Sequence, residues 1–264
     1  MKKLFPILLL VLAILACSRT TNVPATATPV PPTATPLPGP TGTPTLIPTA
    51  TPNADAADFG DPILAALLDV APTAQDDFSI DRGWFGTTGG GNDSAAMVSV
   101  EDGFLRVAGD GPGRGFTHML NNDYLRLDNF VVIVDAAFLG EEGRAGERFI
   151  GLCWWPGDNH GERFLLDETG WFEGATCTPG GPCPDYVTGH VDPLRTGETV
   201  SLILIHRGNE SAVYVNAMPY VYHNLPVTNV EYGFSLCPHT ADLEPSAIAY
   251  DNLRVWNLDA VSLP

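Results

Sequence analysis

The chain has 264 residues, with 31 Asp and Glu against 13 Lys and Arg and a formal net charge of −18. Phosphate backbones need the opposite sign, so nucleic acid is excluded as a partner. Lys2 and Lys3 are the only lysines; the remainder sets eleven arginines against 31 acidic residues, a net of −20, and has no lysine for Schiff-base chemistry.

The first segment reads as a lipoprotein leader. Lys2 and Lys3 precede an apolar run from Leu4 to Ala16, which closes on Ile14-Leu15-Ala16-Cys17. A helix over that run reaches only about 20 Å against a hydrocarbon core of about 30 Å, which disfavours a retained span. Residues 1–16 are therefore expected to be a signal peptide. Cys17 is expected to carry the lipid that anchors the mature protein in the membrane, outside the cytoplasm at a bacterial cell surface. From Thr20 to Pro52, ten residues are Pro and eleven are Thr. That composition has no apolar period to fold on and favours extended polyproline II, so residues 17–60 are read as the lipidated cysteine and a disordered spacer.

Asp61-Pro62 resembles an N-cap followed by a first-turn proline. Ile63, Leu64, Leu67 and Leu68 share one side, and Pro72 forbids continuation, so residues 61–75 are expected to form a short helix and connector. From 76 to 264 the texture changes to short apolar runs, among them 96–107, 124–139, 148–155, 162–172, 200–206, 212–221, 231–237 and 247–258. Gly, Pro, Asn and Asp separate them at strand-length intervals. This is an all-β domain, and the lack of alternating helices excludes a doubly wound nucleotide fold. Val200 to Ile205 is apolar on both faces, as in a strand covered on both sides, and Arg207-Gly208-Asn209-Glu210 reads as the turn of a hairpin.

The domain opens on Asp76-Asp77-Phe78-Ser79 and Trp84. It continues through Phe149-Ile150-Gly151-Leu152-Cys153-Trp154 and Gly170-Trp171-Phe172, and ends on Tyr250-Asp251-Asn252-Leu253-Arg254-Val255-Trp256. That order resembles the concanavalin A-like or laminin-G-like jelly-roll domains of bacterial surface proteins, including the keto-disaccharide hydrolase-related group. The resemblance spans residues 76 to 258 and implies a two-sheet antiparallel sandwich with a curved face often used for glycans. Asn216-Ala217 stands where the family turns on Asn-Gly, so a different turn is expected there.

Four cysteines follow Cys17 and allow three connectivities. The Thr-Pro-Gly-Gly-Pro between Cys177 and Cys183 can turn back on itself, so those two are paired and Cys153 is left to Cys237. Zinc is the competing reading, but neither the spacing nor His190 makes a ligand knuckle. Calcium through Asp77 or Asp251 is an option without a dense Asp/Asn loop behind it; no metal is assigned and no other cofactor is implied.

No nucleophile elbow, zinc-protease motif or phosphate loop occurs. The Glu-x-Asp-x-x-Glu run of glycosidases on this fold is also absent; Glu162, Asp167 and Glu168 are a weak substitute for an acid/base pair. Aromatics give the better site: Trp154, Trp155, Trp171, Tyr186, Tyr220 and Tyr222 lie on or beside the middle strands. Their flat rings suit the C–H faces of sugars, while Asp158, Asn159 and His160 can take hydroxyls. Trp154 and Trp155, being adjacent in a strand, point to opposite faces, so one is core. Trp84 and Trp256 are assigned to the core. The expected protein is a lipid-anchored β-sandwich that binds glycan or another surface polymer without catalysis. A saccharide hydrolase and a protein-adhesion module are the alternatives.

Overall fold

A computed structural model describes residues 49–87, 96–109, 116–117, 120–121, 125, 127–140, 148–157, 160–178, 181–224, 233–240 and 247–263, all within one compact unit, Leu46–Pro264. At 86–87, 96, 116–117, 120–121, 155–157 and 160 the description covers the backbone alone. Cys17, most of the Pro/Thr tract, Asp158 and Asn159 lie outside the described residues, as do the side chains of Trp155 and His160.

A helix, α1 (Ala54–Leu67), precedes the strands. It starts earlier than Asp61-Pro62. Asn53 is the cap, its carboxamide oxygen accepting the Ala56 N–H at 3.0 Å, and Pro62 lies inside the helix, where it removes one intrahelical bond. Packing offsets that loss, since Ala56, Ile63 and Leu67 are buried on one face. Residues 54–60 therefore belong to the folded domain and not to the spacer. Ahead of the helix, the Ala50 N–H donates to the His190 carbonyl and the Asn53 N–H to the Pro219 carbonyl.

The strands follow in chain order: β1 (Ala74–Asp76), β2 (Gly86–Thr87), β3 (Ala96–Glu101), β4 (Phe104–Gly109), β5 (Phe116–Thr117), β6 (Leu120–Asn121), β7 (Phe130–Leu139), β8 (Arg148–Gly157) and β9 (His160–Asp167). After these come β10 (Trp171–Cys177), β11 (Asp185–His190), β12 (Val200–Arg207), β13 (Glu210–Val215), β14 (Met218–Asn224), β15 (Phe234–Leu236), β16 (His239–Thr240) and β17 (Ala247–Asn257). All pairings are antiparallel among the described residues. One sheet runs β14-β13-β12-β7-β17-β4-β3 with β1 on β17; the other runs β11-β10-β9-β8-β15-β6-β2, with β16 joining β8 to β5. This is the two-sheet sandwich, with β11 and β14 at the ends of the two strand orders.

Period-two alternation decides the layers. On β7, Phe130, Val132, Val134, Ala136 and Phe138 enter the inter-sheet core, facing Ile150, Leu152 and Trp154 of β8 and Phe164 and Leu166 of β9. Val131 and Ile133 point outward, where Ile203, Ile205, Ala212, Tyr214 and Trp256 join them under α1. β12 is thus covered on both faces, by the core through Val200, Leu202 and Leu204 and by the helix through Ile203 and Ile205. Gly60 lets α1 approach closely, because a Cβ there would collide with Tyr214 and Ile205. The Tyr214 hydroxyl lies 2.9 Å from both the Ala56 carbonyl and the Asp61 carboxylate. Trp256 is buried and donates from Nε1 to the Val70 carbonyl at 2.8 Å, whereas Trp84 is only half-buried, with the Arg82 guanidinium over its ring.

The β12–β13 hairpin turns on Gly208-Asn209, with Arg207 opposite Glu210. At β13–β14 the turn is not a different one: Asn216 (φ 50°) and Ala217 (φ 64°) are both left-handed, as an Asn-Gly turn requires, and Ala217 simply occupies the glycine position. Disulfides join Cys153 to Cys237 and Cys177 to Cys183.

Candidate functional site

The helix occupies the outer side of one sheet, which leaves the outer face of the β11–β10–β9–β8 sheet as the broad surface. The same parity that sends Phe164 and Leu166 inward sends Arg163 and Leu165 outward, beside Trp171 and Glu173 of β10 and Phe149 and Cys153 of β8. Phe149, Leu165 and the Cys153–Cys237 bridge form an apolar floor. Trp171, part-exposed, meets Phe149 edge-on at 6.2 Å between ring centroids, and Phe149 meets His239 at 5.4 Å. Next to this row Arg163 pairs with Glu173. Burial pushes the Glu173 carboxyl up, the Arg163 charge opposes the rise and the Asp185 charge adds to it. Burial, then the Arg163 charge, lowers His239.

The sheet's end near β11 is polar inside. Trp154 is fully buried and donates from Nε1 to Ser211 Oγ at 3.2 Å on the opposite sheet; Ser211 is 2.8 Å from His206 Nδ1. With Ser211 accepting from the indole, its own proton serves His206, and burial lowers that imidazole to about 4. A second cross-sheet contact lies beside it: Glu162, opposite Trp154 on β9, faces His223 of β14, with Nδ1 3.1 Å from Oε2. Tyr186 stacks on the His223 ring at 3.9 Å and 21°.

The aromatics predicted as a platform are thus dispersed. Trp154 is core, and Tyr220 packs on Phe172 toward the core. Tyr222 lies on the helix side against Phe59, its hydroxyl bonded to Glu210. Tyr186 sits in the seam between the sheets, and among the described side chains only Trp171 of the predicted aromatics remains on the broad face. Glu162 and Asp167 do not pair. They are five residues apart on β9, about 17 Å, beyond the separations of up to about 9.5 Å that sugar cleavage uses. Asp167 Oδ1 instead accepts from the Thr169 N–H and hydroxyl and the Trp171 N–H, closing the β9–β10 turn, and Glu168 pairs with Arg148.

Sequence reasoning missed Arg163, Glu173, His223 and His239. A signal for His223 existed, since Val221-Tyr222-His223 alternates and puts the histidine on the same side as a core valine. Beside the β1–β17 pairing a cleft of about 480 Å³ is lined by Asp76, Asp77, Arg82, Asp135, Asn252 and Arg254. Burial, with the charges of Asp135 and Asp77, pushes Asp251 up. Among the described residues no group of three His, Cys, Asp or Glu side chains is placed to hold a metal ion.

No family model matches the chain, and no curated protein does. Solved structures are similar to it. The catalytic domain of the endo-1,3-β-glucanase (laminarinase) of Thermotoga petrophila RKU-1 is 13% identical over 70% of this chain and 96% of that one, with a TM-score of 0.53. LamAcat of Zobellia galactanivorans is 11% identical over 71% and 98%, also at 0.53. A structure described with endo-acting O-glycanases of the human gut microbiota is 12% identical over 70% and 99%, at 0.54. At such identities the likeness defines the class of fold, a concanavalin A-like jelly-roll sandwich.

Proposed function

We propose that the domain binds glycan on the outer face of its β11–β10–β9–β8 sheet, without cleaving it, and is held at the cell surface by lipid on Cys17. The carrying observation is the part-exposed Trp171 ring beside the Arg163–Glu173 pair on an apolar floor. A flat ring takes the C–H face of a sugar, and a half-buried ion pair fixes hydroxyls by charge-assisted bonds. The laminarinase and O-glycanase named above share the fold, which supports a saccharide ligand. Affinity electrophoresis through a polysaccharide panel tests this: Trp171→Ala should lose retention with little change in melting temperature. Unchanged migration of both proteins on every polymer would overturn the reading. Cys17→Ser should abolish fatty-acid labelling and membrane fractionation; a labelled variant would overturn the anchor.

One observation favours hydrolysis as a second reading. Glu173, with its carboxyl pushed up and Asp185 nearby, has the character of a general acid. Release of reducing ends by the wild type and its loss in Glu173→Gln would select that reading.

A further inference from the structure

Glu162 is a costly residue where it stands. Its side chain is 0% exposed, its aligned hydrogen bond crosses to the other sheet to reach His223, and its Oε1 is buried with no aligned partner among the described residues. A buried carboxylate so placed contributes little to stability, and an apolar side chain of similar volume would serve the core better.

The surroundings are nonetheless built around it. β11 is bulged: Gly174 pairs with Val187 and Ala175 with Asp185, so Tyr186 is the extra residue and is turned inward. A Cβ on Gly174 would come within 2.9 Å of the Tyr186 ring, so the glycine makes the space that the ring fills. β14 is bulged as well, between Val213 and Tyr214 on its partner, and that shift brings His223 to the inner side. β8 and β9 shift register beyond Trp154–Glu162. Three irregularities therefore converge on one imidazole. Tyr186 covers one ring face, and its hydroxyl lies close enough to Glu162 for the carboxylate to act on it, although the two are not aligned as a hydrogen bond.

A carboxylate only accepts, so the His223 proton sits on Nδ1 and a neutral ring keeps its lone pair on Nε2. The histidine side chain is 23% exposed while its partner is enclosed. An enclosed carboxylate that fixes tautomer and ring plane, with the imidazole at the rim, is the relation of an orienting acid to a general base.

We propose that His223 is a general base for the hydrolysis of acyl esters, with Glu162 as its positioning residue, an activity beyond the glycan binding proposed above. Nε2 takes a proton from water as the water oxygen bonds to the acyl carbon. Glu162 stabilises the resulting imidazolium through the Nδ1–H bond. The tetrahedral intermediate then expels the alcohol oxygen, which leaves with the proton held on Nε2, and a carboxylic acid and an alcohol are released. Water is the sole co-reactant. An ester fits this pair better than a glycoside, whose cleavage needs two carboxyl groups flanking one bond.

The test uses the full chain with p-nitrophenyl acetate and, separately, acetylated xylan with released acetate measured. The wild type should exceed free imidazole at equal concentration, and His223→Gln should lose about 100-fold, the lower range for a general base. Glu162→Gln should lose rate and shift the pH profile, and Glu162→Asp should recover part of it. If His223→Gln does not fold, the Glu162 pair decides. Rates no higher than imidazole, or equal rates in wild type and Glu162→Gln, overturn the proposal.

Discussion

Acidification should destabilise the domain through His206 in particular. The ring is fully buried between the sheets, and burial lowers it to about 4 from an ordinary value of 6.5. An unfolded chain takes up that proton near 6.5 and the folded chain does so only near 4. The contribution is therefore complete above pH 6.5 and is lost as the pH falls toward 4. On the linkage relation the loss is about 2 kcal/mol at pH 5 and about 3 kcal/mol at pH 4. Urea unfolding of the wild type and His206→Gln at pH 7, 6, 5 and 4 isolates this share from that of Glu173 and His239, which titrate in both proteins. The two curves of stability against pH should converge by about 3 kcal/mol between pH 7 and 4. Parallel curves, or a His206 resonance titrating near 6.5, would refute the argument.

Ala217→Gly should stabilise the fold by about 0.5–1 kcal/mol, the relief of a left-handed alanine (φ 64°) less the extra freedom of glycine in the unfolded chain; denaturant midpoints check it. Removing the Cys153–Cys237 bridge should cost about 4–5 kcal/mol and removing Cys177–Cys183 about 2, because the first closes 84 residues and the second six. Equal losses would show that loop length does not govern them. Gly174→Ala should cost about 1–3 kcal/mol, since its Cβ meets Tyr186 and Val187 at 2.8–2.9 Å, and should lower ester hydrolysis together with stability.

The alternation of apolar residues carried most of the architecture. Val200 to Ile205 read as doubly covered and is so, and the cysteines pair as their spacing suggested. The helix start was harder. Asp61-Pro62 has the local chemistry of a cap, but Asn53 caps an earlier turn and tertiary burial of Ala56 and Gly60 against Tyr214 outweighs the proline. The site was least legible because bulges shift side-chain parity by one residue. Tyr186 and Tyr220 are the extra residues in two of them, so strand alternation places them on the wrong side. Arg163 and Glu173 lie on different strands and become a pair only through the β9–β10 register.

The short stretch ahead of the helix has a mechanical consequence. Its Ala50 bond grips the end of β11 and its Asn53 bond grips β14, so a pull on the chain entering the domain is shared between both sheets at once. Under load the first event should be peeling of residues 49–67 from the outer side of β12 and β13, with Tyr214 losing its hold on Ala56. The inter-sheet core, and the broad face opposite the helix, would stay intact while the peeled segment lengthens.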